Sequence, residues 1–565
     1  MSDTVPPKST TTPPPAIPTP APTAATPQAN IQPSGGIAKP VVVAPPTLHI
    51  DAPPPTSIRP HGTGVRGLTL SRGSMLFEGR FGRMFRALPA ADFGDTDEQT
   101  GKALGDLATA MVSNDPPKDG ADPEESGIPA VYTYFGQFID HDLTFDPSSS
   151  LQKQNDPDAL VDFRTPRFDL DNLYGRGKDD DPYFYDNDGK FLLGHPLSGA
   201  KSNPKACDLP RSQSKPARAI IGDPRNDENT IVSQLQGLFH RFHNAVFDDL
   251  KPQGYSFEEI QREVRWHYQW VVINDFLPKL VHPSVIASVL PHVAKHTDIV
   301  KDKPSLVFYH AQRDAFMPLE FSVAAYRFGH SIVRPGYRLS ETVPVLPVFT
   351  RGGKFGEGLT GFQAPPDNWA IDWALFADIE PRDPDSTQRM QLAYRIDTSL
   401  VGPLGALPDS VGANPNSLAL RNLLRGWRLR LPTGQDVARA MGVPVMADAD
   451  ILIGRFTDDK PDQDAWKPIT AFGKVFEDNC PLWTYVLAET RLCQEKVTIQ
   501  TTKGPTVIST PKLGPVGGRI VAETFAGIML ADSSSYLSQY PLWKPRYAKN
   551  GTFRLADLIA KALAS

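Results

Sequence analysis

Cysteine is scarce in this chain, since only Cys207, Cys480 and Cys493 occur among 565 residues. A set this sparse and odd in number excludes a disulfide-stapled scaffold. The spacing leaves a Cys480–Cys493 bridge open, but reduced, buried cysteines are the simpler interpretation. We therefore expect a fold that does not depend on disulfide bonds.

Long apolar runs and an excess of positive charge are also lacking. No segment approaches the ~20 uninterrupted apolar residues of a membrane span, and residues 1–7 lack the basic and apolar regions of a secretory signal. The formal net charge of -6 gives no broad field that would gather phosphates or anionic lipid. These absences predict a soluble, bacterial-type protein without a membrane span or a nucleic-acid partner, either cytoplasmic or exported by a route that leaves no N-terminal mark.

Proline, threonine and alanine dominate residues 1–60, where aromatic residues are almost absent. Such a segment cannot bury enough apolar surface to offset its ordering entropy, so we expect a disordered tail. Residues 61–565 have an ordinary globular composition without a second linker, which predicts one large domain. Alternating β-branched stretches are short and few, as in 496–502, and this favours a mainly α fold with long irregular loops and little β structure.

Two helices are predicted from local patterns. Ser256 and Glu259 are spaced as in a capping box, and apolar residues follow at helical intervals, which predicts a helix over 256–276. Residues 229–249 carry apolar side chains that lie on one face of a second helix.

Residues 131–146, VYTYFGQFIDHDLTFD, collect polar side chains within an apolar, aromatic-rich helix. Gln137 and His141 stand four residues apart, so a helix places both on one face with Asp140 beside them. Burying an amide, an imidazole and a carboxylate together is costly unless partners satisfy them. Taken alone, the segment fits a sealed internal hydrogen-bond network as well as a catalytic cluster.

The motif GQFIDHD, residues 136–142, resembles the distal haem motif of the myeloperoxidase and lactoperoxidase family, the animal-type haem peroxidases. The resemblance implies that His141 is the acid/base residue toward peroxide and that Gln137 lies over the haem. It also implies that Asp140 forms an ester with a haem methyl group and that Asp142 binds calcium. The cofactors that follow from it are haem b and Ca²⁺.

Residues 222–229, GDPRNDEN, match the family's arginine that is followed three residues later by a glutamate. By this resemblance Arg225 polarises the peroxide and Glu228 forms a second haem ester. The next residue is the methionine that makes a sulfonium bond in myeloperoxidase, but it is Asn229 here. The resemblance therefore implies two ester links and no sulfonium link.

Residues 321–335, FSVAAYRFGHSIVRP, resemble the family's proximal helix. The resemblance makes His330 the axial ligand of the haem iron and pairs Arg327 with a haem propionate. Asn422 occupies the position of the family's proximal asparagine, which orients the axial histidine, and Arg425 is assigned to cofactor binding beside it. After Arg425 the chain departs from the family, because Gly-Trp-Arg-Leu replaces the usual Arg-Asp-His-Gly.

Residues 164–175, RTPRFDLDNLYG, alternate oxygen donors in a predicted extended loop. Calcium takes six to eight oxygen ligands, and the loop resembles the calcium loop of the family. Without that resemblance a solvated turn would fit equally well. The implied ligands are Thr165, the backbone carbonyl of Arg167, Asp169, Asp171 and, from the distal segment, Asp142.

The resemblance implies a hydrogen-peroxide-dependent haem peroxidase that oxidises halides, thiocyanate or small aromatic donors through a ferryl intermediate. Fatty-acid dioxygenases of the same superfamily are an alternative, but their radical-forming tyrosine stands where Arg327 is, and Tyr326 should point elsewhere on an α-helix. A non-catalytic haem- or calcium-binding interaction protein would have no use for an acid/base histidine. His240 and His243 could begin a zinc site, yet they lie in a stretch that resembles a structural part of the family's core.

Overall fold

The computed structural model describes residues 79–113, 119–144, 161–162, 164–311, 314–349, 357–408 and 414–565. The predicted disordered tail, residues 1–60, lies outside the described residues. The described part is mainly helical, as predicted, and none of its helices has the length and apolarity needed to cross a lipid bilayer. The α-helices are α1 (Asp97–Ala110), α2 (Val131–Leu143), α3 (Asp171–Tyr174), α4 (Thr230–Leu250), α5 (Phe257–Val271), α6 (Leu277–Leu280), α7 (Pro283–Val289), α8 (Pro291–Ala294), α9 (Gly402–Gly405), α10 (Leu418–Arg428), α11 (Gly434–Met441), α12 (Lys460–Ala465), α13 (Leu482–Glu489), α14 (Gly517–Ala531), α15 (Tyr536–Gln539) and α16 (Leu555–Ala564).

The β structure is short and dispersed, in agreement with the prediction. The strands are β1 (Gly79–Gly82), β2 (Val112–Ser113), β3 (Glu125–Pro129), β4 (Val161–Asp162), β5 (Met317–Pro318), β6 (Gly336–Tyr337), β7 (Leu346–Pro347), β8 (Leu392–Tyr394), β9 (Leu400–Val401), β10 (Leu452–Ile453), β11 (Lys467–Pro468), β12 (Gln494–Thr501) and β13 (Gly504–Pro511). The longest β element among the described residues is the antiparallel hairpin of β12 and β13, which includes the β-branched stretch 496–502 and in which Val497 pairs with Ile508. β1 lies between β4 and β5, and the other strands form pairs.

Aromatic packing holds α2 against α4 and α5 in the main hydrophobic core. Phe138 of α2 stacks on Phe239 of α4 with ring centroids 4.5 Å apart, and Tyr268 of α5 meets both rings edge-on. Such ring pairs contribute roughly 0.5–1.5 kcal/mol each beyond the burial of their area. Because the three helices are fixed to one another in this way, the polar side chains of α2 have defined positions.

The two predicted helices are present, with one difference at the end of α5. Asn229 caps α4, and its side chain accepts a hydrogen bond from the Ile231 backbone N–H. Ser256 and Glu259 form the predicted capping box of α5. The predicted end at residue 276 is wrong for the α-helix itself, since the chain widens into a π-helical turn over Val272–Phe276.

The segment that carries His330 is not the α-helix that the resemblance implies. A π-helical stretch, Glu320–Ala324, passes into a 3₁₀-helix, Ala325–His330. In a 3₁₀-helix residues three positions apart eclipse each other, so Arg327 and His330 lie on the same side. The three cysteines are free, as the simpler interpretation predicts, but only Cys480 is buried, whereas Cys207 and Cys493 are partly exposed.

Candidate active site

A cavity of about 620 Å³ lies between α2 on one side and the 3₁₀-helix Ala325–His330 on the other. This volume is within the range of roughly 300–1,000 Å³ that is usual for ligand and cofactor pockets. His141 and His330, 189 positions apart in the sequence, both line it. The lining residues predicted from the sequence are Gln137, Asp140, His141, Arg225, Glu228, Arg327, His330, Asn422 and Arg425.

His141 is held by side chains from a segment 85 positions away. Its Nδ1 lies 2.6 Å from Asn226 Oδ1, and its Nε2 lies 3.6 Å from Glu228 Oε1, which is too far for a hydrogen bond. Burial lowers the pKa of His141, and the Arg225 charge lowers it further. Glu228, Asp223 and Asp140 act in the opposite direction. The imidazole is therefore biased toward its neutral form.

Arg225 is anchored at the edge of the cavity. Its Nη2 donates to the His141 carbonyl at 3.0 Å and pairs with Asp223 Oδ2 at 2.7 Å. Burial alone would raise the pKa of Asp223, but the hydrogen bonds and charges of Arg225 and Arg164 outweigh burial and hold it below its usual value. Asp223 therefore stays ionised and fixes the guanidinium beside His141.

The two carboxylates that the resemblance assigns to haem esters both line the cavity. Gln137 Nε2 donates to Glu228 Oε1 across the space between α2 and the turn that precedes α4. Thr144 Oγ1 donates to Asp140 Oδ1 at 3.1 Å. Each carboxylate thus has a neutral hydrogen-bond donor that restricts its orientation.

On the other side of the cavity, the amide nitrogen of Asn422 lies 2.8 Å from His330 Nδ1. Burial lowers the pKa of His330 to about 3, with a further contribution from the charge of Arg327. Arg327 Nε donates to the Ser322 carbonyl at 2.8 Å, and Arg425 reaches the cavity from α10. The imidazole is neutral, which is the state that a metal ligand requires.

A second polar cluster consists of three carboxylates, Asp142, Asp169 and Asp171. One carboxylate oxygen from each residue lies within 4.8 Å of the other two. Among the described residues, this cluster has the spacing that would allow three side chains to bind one metal ion. Neither oxygen of Asp142, which is fully buried, has a hydrogen-bond partner there. Burial and the charges of Asp169 and Asp171 raise its pKa well above the usual value. Calcium prefers oxygen donors of this kind, and a bound cation would compensate the burial of their charges.

The other predicted calcium ligands lie around this cluster. Thr165 Oγ1 donates to Asp169 Oδ2 at 2.9 Å. The Arg167 side chain pairs with Asp532, and its backbone carbonyl is the group that the prediction assigns to calcium. The predicted extended loop is wrong in its conformation. It is a series of bends that ends in a left-handed residue, Leu170, and Asp171 begins the short helix α3.

Residues 152–348 match the family model of the animal haem peroxidase. Within this range, which is about one third of the chain, the sequence is similar to the animal haem peroxidase. The matched range includes Arg225, Glu228 and His330, whereas His141 precedes it and Asn422 follows it.

Two curated proteins match part of the chain. The chain is 31% identical over 126 residues to a peroxidase-like protein of Margaritifera margaritifera, which is 20% of this chain and 14% of that protein. It is 24% identical over 158 residues to myeloperoxidase of Homo sapiens, which is 27% of this chain and 19% of that protein. The chain therefore matches less than one fifth of the length of either relative.

A solved structure shares the fold of this chain over most of its length. Peroxidase A from Dictyostelium discoideum superimposes with a TM-score of 0.52 and covers 87% of this chain and 94% of that chain. The two sequences are 16% identical. At this identity the comparison supports the fold, in agreement with the mainly α prediction.

The cavity also contains residues that sequence reasoning missed or misplaced. Arg421 of α10 and Phe362 line the cavity, and neither stands in a recognisable motif. The expectation that Tyr326 points elsewhere is wrong, because in the 3₁₀-helix its side chain lines the same cavity and its hydroxyl donates to the Gly136 carbonyl at 3.1 Å. The positive φ of Phe362, 60°, could not be read from the sequence.

The zinc interpretation of His240 and His243 is not supported by their surroundings. His240 Nδ1 contacts the Leu192 carbonyl and His243 Nε2 contacts the Gly189 carbonyl. The remaining ring nitrogens contact a glutamine amide and a tyrosine hydroxyl. All four nitrogens therefore have hydrogen-bond partners within the fold.

Proposed function

We propose that this protein is a haem peroxidase that uses hydrogen peroxide to oxidise a small donor, either a halide, thiocyanate or a small aromatic molecule. The observation that carries the proposal is the placement of His141 and His330 on opposite sides of one cavity, with Arg225 beside His141. A cofactor slot with a neutral histidine on each side matches the demands of peroxide chemistry at a haem. Bound haem would supply the iron and the redox capacity for that chemistry.

His330 would hold the haem iron through Nε2, and Asn422 would orient its ring. An axial imidazole must carry its proton on Nδ1 and donate it to an acceptor. The side-chain amide of Asn422 lies 2.8 Å from Nδ1. Its carbonyl oxygen would accept from Nδ1–H and leave the lone pair of Nε2 for the iron.

His141 would move the proton of the peroxide. A neutral imidazole can take a proton on Nε2 and return it to the leaving oxygen, and such transfers contribute roughly 10²–10⁴-fold. Burial and Arg225 favour this neutral form. The Arg225 guanidinium, held by Asp223, would stabilise the negative charge that develops on the leaving oxygen.

Asp140 and Glu228 would attach the haem through ester links, and the arginines of the proximal side, Arg327 and Arg425, would face its propionates. The acidic cluster of Asp142, Asp169 and Asp171 would hold Ca²⁺ with Thr165 and the Arg167 carbonyl. Its buried, unpaired carboxylate oxygens support a cation at this position, because an uncompensated buried charge is unfavourable.

A fatty-acid dioxygenase is the second candidate, and the position of Tyr326 in the cavity favours it. A tyrosine that lines the same cavity as the axial histidine could exchange a hydrogen atom with a substrate. Its hydroxyl is, however, already bonded to Gly136 on the distal helix, and the distal pair of His141 and Arg225 serves peroxide. We therefore place the dioxygenase second.

The experiment loads the purified full-length chain with haem and measures oxidation of guaiacol, iodide and thiocyanate with and without hydrogen peroxide. A parallel sample receives linoleate and oxygen without peroxide. The proposal expects turnover of at least one donor that requires both haem and peroxide. Oxygen uptake with linoleate alone would select the dioxygenase, and haem binding without turnover in either arm would contradict both enzymatic functions.

A further inference from the structure

A continuous line of buried polar side chains runs from His141 away from the cavity. His141 Nδ1 lies 2.6 Å from Asn226 Oδ1, and Asn226 Nδ2 lies 2.8 Å from Gln236 Oε1. Gln236 Nε2 lies 3.2 Å from His240 Nε2, and His240 Nδ1 lies 3.3 Å from the Leu192 carbonyl. The four side chains are each at most 4% exposed, so water does not compete for these bonds.

The direction of every bond in this line follows from its last member. The Leu192 carbonyl can only accept, so His240 Nδ1 carries the proton and Nε2 is the acceptor. Burial lowers the pKa of His240 to about 4, which keeps the ring neutral with a single N–H. Gln236 must then donate through Nε2 and accept through Oε1, and Asn226 must donate through Nδ2 and present Oδ1 to His141.

We propose that Asn226, Gln236 and His240 form a positioning chain that fixes His141 in the tautomer with its proton on Nδ1 and its lone pair on Nε2, toward the cavity. This inference rests on the proposed function, because that tautomer is the one that can take a proton from peroxide at Nε2. The two amides do not shuttle protons, so the chain orients His141 and does not act as a proton wire. Asn226, Gln236 and His240 are therefore positioning residues that act through His141.

Reversing the hydrogen-bond directions along the positioning chain has a free-energy cost, and this cost stabilises the Nδ1–H tautomer of His141. If His141 moved its proton to Nε2, Nδ1 and Asn226 Oδ1 would face each other as two acceptors 2.6 Å apart. Turning the Asn226 amide would relieve that contact but would place Nδ2 against His141 and Oδ1 against Gln236 Oε1, a new pair of acceptors. Leaving one buried hydrogen bond unmade changes the tautomer ratio of His141 by roughly five- to more than a hundredfold.

The test reads the tautomer of His141 by ¹⁵N NMR of the full-length chain labelled at histidine, without a porphyrin and with zinc protoporphyrin IX. The His141 signals are identified by their loss in His141→Ala. We expect the Nδ1–H tautomer in both samples of the unaltered chain. Finding the Nε2–H tautomer in both would overturn the proposal without any variant being needed.

Three variants and one control separate positioning from folding. Asn226→Leu removes the acceptor and should shift His141 to the Nε2–H tautomer, whereas Asn226→Asp keeps an acceptor oxygen and should restore Nδ1–H. Gln236→Leu, which removes the hydrogen bonds of Gln236 to Asn226 and His240, should populate both tautomers. The control is Gln234→Leu, because Gln234 is a buried amide of the same helix that bonds only to the backbone of residues 369 and 371.

Haem-loaded samples of the same variants give the second readout. The rate of the spectral change on mixing with peroxide should fall roughly 10–100-fold in Asn226→Leu, recover in Asn226→Asp and stay unchanged in Gln234→Leu, while the KM for the donor stays constant. An unchanged tautomer in Asn226→Leu overturns the positioning chain. An inactive unaltered chain whose tautomers follow the expectation would overturn the proposed function and leave the positioning of His141 supported.

Discussion

His141 and Asp142 are consecutive residues of α2, and their buried side chains belong to two different polar clusters. His141 contacts Asn226 at the cavity, whereas the Asp142 carboxylate lies with those of Asp169 and Asp171. A cation held by the second cluster would therefore fix the helix one residue from the distal imidazole. Binding of a cation at Asp142 would therefore also restrict the position of the His141 side chain.

Calcium should stabilise the protein through Asp142. A ligand that binds only the folded state adds about 2.7 kcal/mol at a concentration one hundred times its Kd, so melting curves with Ca²⁺ should lie above those with a chelator. Asp142→Asn should abolish the calcium-dependent difference. Asp179→Asn, a change of an exposed acid near the loop, should preserve it. A chain that melts identically with calcium and with chelator, after demonstrated removal of metal, would contradict the site.

His141→Ala should slow the reaction with peroxide without releasing the haem. The variant lacks the base, so the observed rate on rapid mixing should fall by roughly 10²–10⁴-fold, while the haem spectrum before mixing stays close to that of the unaltered protein. Stopped-flow absorbance in the Soret region measures both properties. A rate equal to that of the unaltered chain would show that another group moves the proton.

His330→Ala should lose haem or its normal Soret band, because the cavity then has no axial imidazole on the proximal side. Haem titration followed by gel filtration measures retention, and the spectrum reports the ligand. His310→Ala, a change of an exposed histidine outside the cavity, is the control and should bind haem normally. Retention of an unchanged spectrum in His330→Ala would place the axial ligand elsewhere.

Ester links should depend on Asp140 and Glu228. After turnover with peroxide, intact-mass measurement and extraction with acidified acetone should find haem retained by the polypeptide. The single changes Asp140→Asn and Glu228→Gln should each leave one link, and the double change should release the haem completely. Gln234→Leu keeps both carboxylates and their hydrogen-bond donors and serves as the control. Complete extraction from the unaltered chain after turnover would refute covalent attachment.

Lys512 should make the free energy of unfolding rise with pH in the alkaline range. Its side chain is 2% exposed, and burial lowers its pKa from the usual 10.5 to about 8. Between these values the unfolded chain binds more protons than the folded one, so stability increases as the pH rises from about 8 to about 10.5, by at most about 3 kcal/mol.

Denaturant unfolding of Lys512→Met over this pH range tests the expectation. Lys512→Met should lack this gain in the free energy of unfolding, because the titrating group is gone. Lys503→Met, at the exposed turn of the β12–β13 hairpin, should retain it. A slope in Lys512→Met equal to that of the unaltered chain would assign the pH dependence to other groups.

Local sequence patterns were sufficient to predict where α4 and α5 begin, because these helix ends depend on residues that are close together in the chain. The caps of α4 and α5 are set by residues two or three positions from the groups they bind, which makes them readable. The conformation around His330 was not readable in this way. Its π and 3₁₀ turns depend on packing against distant segments, and they are the reason that Tyr326 reaches the cavity.

The sequence by itself determined which residue types could serve a haem peroxidase, because His141, Arg225 and His330 stand in short motifs whose spacing can be recognised. Only the tertiary structure decided that they face one cavity, that Asn226 and not a solvent molecule meets His141 Nδ1, and that three carboxylates converge behind α2. Hydrogen bonds are directional and act over about 3 Å, whereas these partners are separated by tens to nearly two hundred positions in the chain. Their meeting is a property of how the helices pack.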